Sequence, residues 1–98
     1  MLINQVANRE WKATDFAGIK RSPFRHNDTW GRSSVVRLGA GTRFPRHALH
    51  GNEKVVILSG TVRIEGVELS QGDYLFTPPG MEHDVAATWD AVIFVSSQ

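Results

Sequence analysis

Cysteine is absent from this 98-residue chain. That removes disulfide staples, thiolate metal sites and cysteine nucleophiles together, so any metal must sit on nitrogen and oxygen ligands. A long apolar run is missing too, since none approaches the ~20 residues needed to cross a bilayer. The N-terminal MLINQVANREW has neither the basic start nor the apolar core of a signal peptide. A soluble cytoplasmic protein with no membrane partner is therefore expected. Charge of one sign is also lacking: eleven Lys and Arg stand against ten Asp and Glu, for a net charge of +1. That balance gives no electrostatic footprint for nucleic acid. Arg32, Arg37, Arg43 and Arg46 are scattered singly and read as a solvated strand face. Low-complexity segments, repeats and linkers are absent, and the length predicts one domain over 1–98. Such a chain buries only a little over ~60% of the surface its unfolded form exposes.

Residues 1–32 carry no sustained period of either kind. From Ser33 the chain breaks into short β-branched runs, among them SSVVRL, EKVVILS, TVRIE, DYLFT and DAVIFVSS, cut by Gly39, Gly41, Gly60, Gly66, Gly72 and Pro78-Pro79-Gly80. Many short strands at this spacing predict a small all-β sandwich or barrel. LSGTVRIEGVELSQGD reads as consecutive hairpins cornered at Gly60 and Gly66, with Val62, Ile64, Val67 and Leu69 toward the core and Arg63, Glu65 and Glu68 toward water. KVVILS and AVIFVSS are apolar on both faces, which suits central strands or a face covered by a second subunit, and a homodimer is expected.

The stretch HALHGNE holds two of the four histidines and a carboxylate. Strand alternation sets His47 and Leu49 on one face and His50 on the other. Further along, GDYLFTPPGMEH delivers His83 to the start of a strand through a corner stiffened by proline. The two segments together resemble the cupins. Gly41-TRFPR-His47 followed by Glu53-KVVILS-Gly60 is similar to their first motif, and Gly72-DYLFT-Pro78-Pro79-Gly80-Met81-Glu82-His83 to their second. The likeness covers about residues 33–95, and the preceding lead-in of 1–32 looks like that of cupins related to ChrR-type anti-sigma factors.

This resemblance implies an all-β double-stranded β-helix, a jelly-roll barrel with an irregular N-terminal segment, and a divalent metal (Fe, Zn, Mn or Ni) at its mouth. His47, Glu53 and His83 fall on ligand positions. The second histidine of the family's His-x-His pair is Leu49 here, and His50 comes one residue late. Three outcomes stay open. The site keeps two histidines and one carboxylate, the facial triad of non-haem Fe(II) oxygenases. Alternatively, a bulge aims His50 inward and restores four ligands. In the third, the barrel holds no metal and binds an organic ligand. Leu49, Arg37 and Tyr74 are candidates for lining the substrate pocket, with Arg37 inward to hold an anion. Asp84 and Glu82 alternate outward from His83, and the Trp and Phe residues are expected mostly in core packing.

Function follows in the same conditional form. The first expectation is a metal-dependent dioxygenase acting on a small carbonyl or diketone-like compound. A non-catalytic small-ligand or metal-binding sensor module is the alternative. Weaker support exists for a sugar isomerase or epimerase, with His50, Tyr74 and Glu82 the available bases.

Overall fold

The computed structural model describes residues 1–27, 29, 31–48 and 51–98, with Asn27, Arg46, His47 and Ala48 described by backbone alone. After a 3₁₀ turn at Val6–Asn8 come β1 (Lys12–Ala13), β2 (Ile19–Asn27), β3 (Gly31–Leu38), β4 (Arg43–Ala48), β5 (Glu53–Ser59), β6 (Thr61–Ile64), β7 (Val67–Ser70), β8 (Tyr74–Thr77), β9 (Glu82–Ala87) and β10 (Ala91–Ser97). Two sheets form, one ordered β1-β2-β3-β10-β5-β8 and the other β4-β9-β6-β7. All ladders are antiparallel. The expected all-β jelly-roll architecture is present. Among the described residues no helix is long and apolar enough to cross a membrane.

Alternation builds the core. β5 turns Val55 and Ile57 inward, each 1% exposed, and leaves Leu58 40% exposed on the other face. From the facing sheet Val62, Ile64, Val85 and Ala87 meet them, joined by Leu38, Ala91 and Ile93. Full burial of such side chains stabilises by about 1.5–3 kcal/mol each. The doubly apolar runs KVVILS and AVIFVSS are central strands, as their pattern suggested: β10 lies between β3 and β5, and β5 between β10 and β8.

The lead-in contributes to the sheet. Irregular through much of its first 18 residues, it then enters β2, which pairs with β3 along its length. A one-residue register shift near Phe24 hides that strand from a period-two reading. The earliest residues cover the outer face of the large sheet. Arg9 lies over the Phe24 ring at 5.3 Å, and Phe24 packs on Phe94 at 6.2 Å.

Two corners differ in kind. Glu65 and Gly66 both have positive φ (50° and 78°), the two-residue hairpin turn that matches strand twist. Gly60 instead carries the chain from the large sheet to the small one, so the expected hairpin there does not form. Its φ is +76°, and a Cβ at this position would lie 2.2 Å from the Asp90 carbonyl oxygen. Val67 is 58% exposed rather than core, because β7 is the edge of the four-stranded sheet. Leu69, next on the same face, does pack against the core.

Candidate functional site

At one end of the barrel, registers line up a row of residues across the large sheet. Arg32 pairs with Ser97, Ser97 with Glu53, and Glu53 with Thr77. Across the interior, the corner at Pro78-Pro79-Gly80 moves the chain from β8 in one sheet to β9 in the other and sets His83 opposite that row. His83 is 3% exposed. Its Nε2 lies 3.3 Å from Glu53 Oε1, and its Nδ1 lies 3.2 Å from the Thr77 hydroxyl. With Nδ1 protonated, that nitrogen donates to Thr77 Oγ1 and leaves the Nε2 lone pair facing the carboxylate.

Two donors held about 2.1 Å from one ion at tetrahedral or octahedral angles are themselves about 3.0–3.4 Å apart. The Glu53–His83 separation falls in that range, and Thr77 supplies the hydrogen bond that orients metal-binding imidazoles. At position 47 the structure describes the backbone alone. A register shift between Phe44 and His47 inserts one residue into β4, where Pro45 stands. In the shifted register the backbones of His47 and His83 pair. Among the described residues no group of three His, Cys, Asp or Glu is assembled. Leu49, expected inward in the first of the three outcomes, and His50, on which the second depends, lie outside the described residues.

The remaining pocket candidates sit elsewhere. Arg37 is exposed on the outer face and stacks on Trp11, its guanidinium carbon 4.1 Å from the ring centroid. Tyr74 is 57% exposed and pairs with Val56 on that same outer face. Parity explains both: each lies an odd number of residues from an inward position on its strand, Arg32 and Thr77 respectively. Phe76, expected as barrel filling, is outward by the same parity and 49% exposed. The arginines do not share one solvated face either. Arg32 lines the interior cavity, while Arg43 donates to Asp84 at 2.8 Å outside the small sheet.

A cavity of about 260 Å³ opens beside Glu53 and His83. Its aliphatic wall includes Val36, Val55 and Ile93, and Arg21 and Arg32 reach it from β2 and β3. Thr77, Arg32 and Arg21 were missed as site residues in the sequence. The available signal was parity, since Arg32 alternates with Ser34 and Val36, and Thr77 with Leu75.

A two-sheet barrel with a histidine–carboxylate pair at one mouth defines a cupin. The chain belongs to the ChrR cupin-like domain family, whose profile matches residues 1–98. Solved structures agree on the fold. The complex of Rhodobacter sphaeroides SigE with the anti-sigma ChrR contains a chain that matches at TM-score 0.82 and 19% identity. That match covers 96% of this chain but 51% of the other, so the present chain spans about half its length. The polyketide cyclase RemF from Streptomyces resistomycificus matches at TM-score 0.86 and 12% identity, covering 99% and 78% of the two chains. A candidate acetylacetone dioxygenase from Methylibium petroleiphilum PM1 matches at TM-score 0.84 and 16% identity, covering 97% and 74%. Comparison with curated proteins matches none of them.

Proposed function

We propose that this cupin binds a divalent cation through His47, Glu53 and His83 and acts on a small carbonyl or diketone-like compound, with Fe(II)-dependent dioxygenation the reading the donor set supports best. The observation that carries it is the buried His83, engaged by Thr77 on one ring nitrogen and facing Glu53 across 3.3 Å on the other. Two imidazoles and one carboxylate leave open coordination positions, the arrangement used where substrate and O₂ must both reach a redox metal. Such a metal, when bound, supplies Lewis acidity and electron transfer. The chain's own residues do the rest. Thr77 holds the His83 tautomer, the apolar wall excludes water, and Glu53 contributes the anionic charge that matches a cation.

The test is elemental analysis of purified protein beside His47→Ala, His50→Ala, Glu53→Gln and His83→Ala variants. Metal lost in the first, third and fourth but kept in His50→Ala supports the three-ligand site. Metal retained in His83→Ala removes it. Oxygen uptake with 2,4-pentanedione, present with Fe(II) and absent with Zn²⁺, carries the redox part.

A second reading is a ligand-sensing module without turnover. The likeness to a chain of the anti-sigma ChrR complex favours it. Tight ligand binding with no oxygen uptake across a panel of diketones would select this reading over the enzyme. In either case a homodimer is proposed through the outer face, where Leu58, Tyr74 and Phe76 are exposed beside one another on β5 and β8. Sedimentation should show a dimer that Phe76→Asp weakens.

A further inference from the structure

We infer that the cavity beside Glu53 and His83 takes a small organic anion, with Arg32 and Arg21 binding its negative group and the aliphatic wall its short carbon chain. This rests on the reading above that this mouth is the functional site, and it adds the charge of the ligand.

Register carries the argument. Arg32 stands in the same row as Glu53, separated from it by the one strand β10, so their backbones lie about 10 Å apart. Arg21 pairs with Val36, two rows deeper on the neighbouring strand, and lines the same cavity. Both therefore belong to the inward set of their strands, whereas Arg37, of opposite parity on β3, is outward and stacked on Trp11. Ser97 stands between Arg32 and Glu53 in their own row, and Ser34, Val36, Val55, Ile93 and Val95 line the cavity in the deeper rows. The site is thus bipolar: guanidinium groups on one side, a carboxylate–imidazole pair on the other, an apolar floor beneath. Among the described residues that line it, Arg21 and Arg32 carry fixed positive charge and Glu53 is the carboxylate. A ligand that bridges the two sides meets least desolvation cost if it is itself anionic.

The chemistry selects the group. A guanidinium is weakly hydrated and presents parallel N–H donors in a planar fork that fits a carboxylate. The volume selects the size, since about 260 Å³ lies below the ~300–1,000 Å³ of sites for drug-sized ligands. Because both arginines are solvent-exposed, screening limits their effect to about two- to fivefold in affinity each.

The test uses the full chain with Zn²⁺, which prevents turnover, and titrates 4-oxopentanoate against its neutral amide by calorimetry. The acid should bind about tenfold or more tighter than the amide. That preference should fall in Arg21→Gln and in Arg32→Gln, vanish in the double variant and survive in Arg32→Lys, with zinc content and circular dichroism unchanged throughout. Equal binding of acid and amide, no binding of either, or a preference that persists in the double variant overturns the anion proposal. Zinc content of the Glu53→Gln variant reports separately on the metal reading, so the two can fail independently.

Discussion

The mouth and the floor of this barrel are built on the same strands and have opposite chemistry. At the mouth β3, β10, β5 and β8 present Arg32, Ser97, Glu53 and Thr77; further down, β3 and β10 present Leu38 and Ala91, each at most 1% exposed. Between them the rows grade from polar to aliphatic through Ser34 and Val95, then Val36, Ile93 and Ile57. A buried imidazole is costly unless it finds a partner. Here His83 has Thr77 on Nδ1 and faces the partly exposed Glu53 across 3.3 Å, while the floor beneath supplies apolar burial. The lesson is a division of labour along each strand: stability comes from one end, and chemistry is tolerated at the other.

Substitutions can break that division. The largest effect is expected on the floor. Ile57→Ala should cost about 2–5 kcal/mol of unfolding free energy by leaving a cavity under both sheets, while metal content per folded molecule stays at the wild-type value. Denaturant unfolding checks this, and a cost below 1 kcal/mol would mean that the floor does not hold the barrel together. Next is the corner joining the sheets. Gly60→Ala places a Cβ 2.2 Å from a backbone carbonyl at φ +76° and should cost about 1–3 kcal/mol, visible as a lower melting temperature.

Thr77→Val sharpens the contrast at the mouth. Removing the hydroxyl leaves His83 Nδ1 without that partner, and metal affinity should fall about 10- to 100-fold, with less loss of stability than Ile57→Ala. Competition with a chelating dye reads it, and unchanged affinity would assign Thr77 to packing alone. The smallest effect belongs outside the barrel. Arg43 bridges Asp84 with its side chain 68% exposed, so Arg43→Ala should change stability by no more than about 0–1 kcal/mol and leave the cavity untouched.

Strand content and the two motifs were legible because period-two runs and glycine spacing are local properties. What the sequence hid clusters at interruptions. Pro23 and Pro45 both stand beside register shifts, and a single inserted residue inverts the facing of everything after it. β2 therefore lacks a sustained period of two, and nothing local marks its Arg21 as facing the cavity. Arg37 has apolar neighbours in Val35, Val36 and Leu38, yet it is the arginine that faces outward, onto Trp11. Val35 is 0% exposed yet stands outside the cluster packed between the sheets, so the local apolar run does not reveal which face is the interior.

By itself the sequence determined which residues could do chemistry: nitrogen and oxygen donors only, two histidines and a glutamate at family spacing, and short strands able to close a barrel. Tertiary structure decided which of them meet. Glu53 and His83 lie 30 positions apart by their numbers and face each other only because the Pro78-Pro79-Gly80 corner changes sheet. Likewise Arg32 reaches the cavity and Arg37 does not, since facing is settled by the register each strand adopts with its neighbours, and that is a property of the assembled sheets.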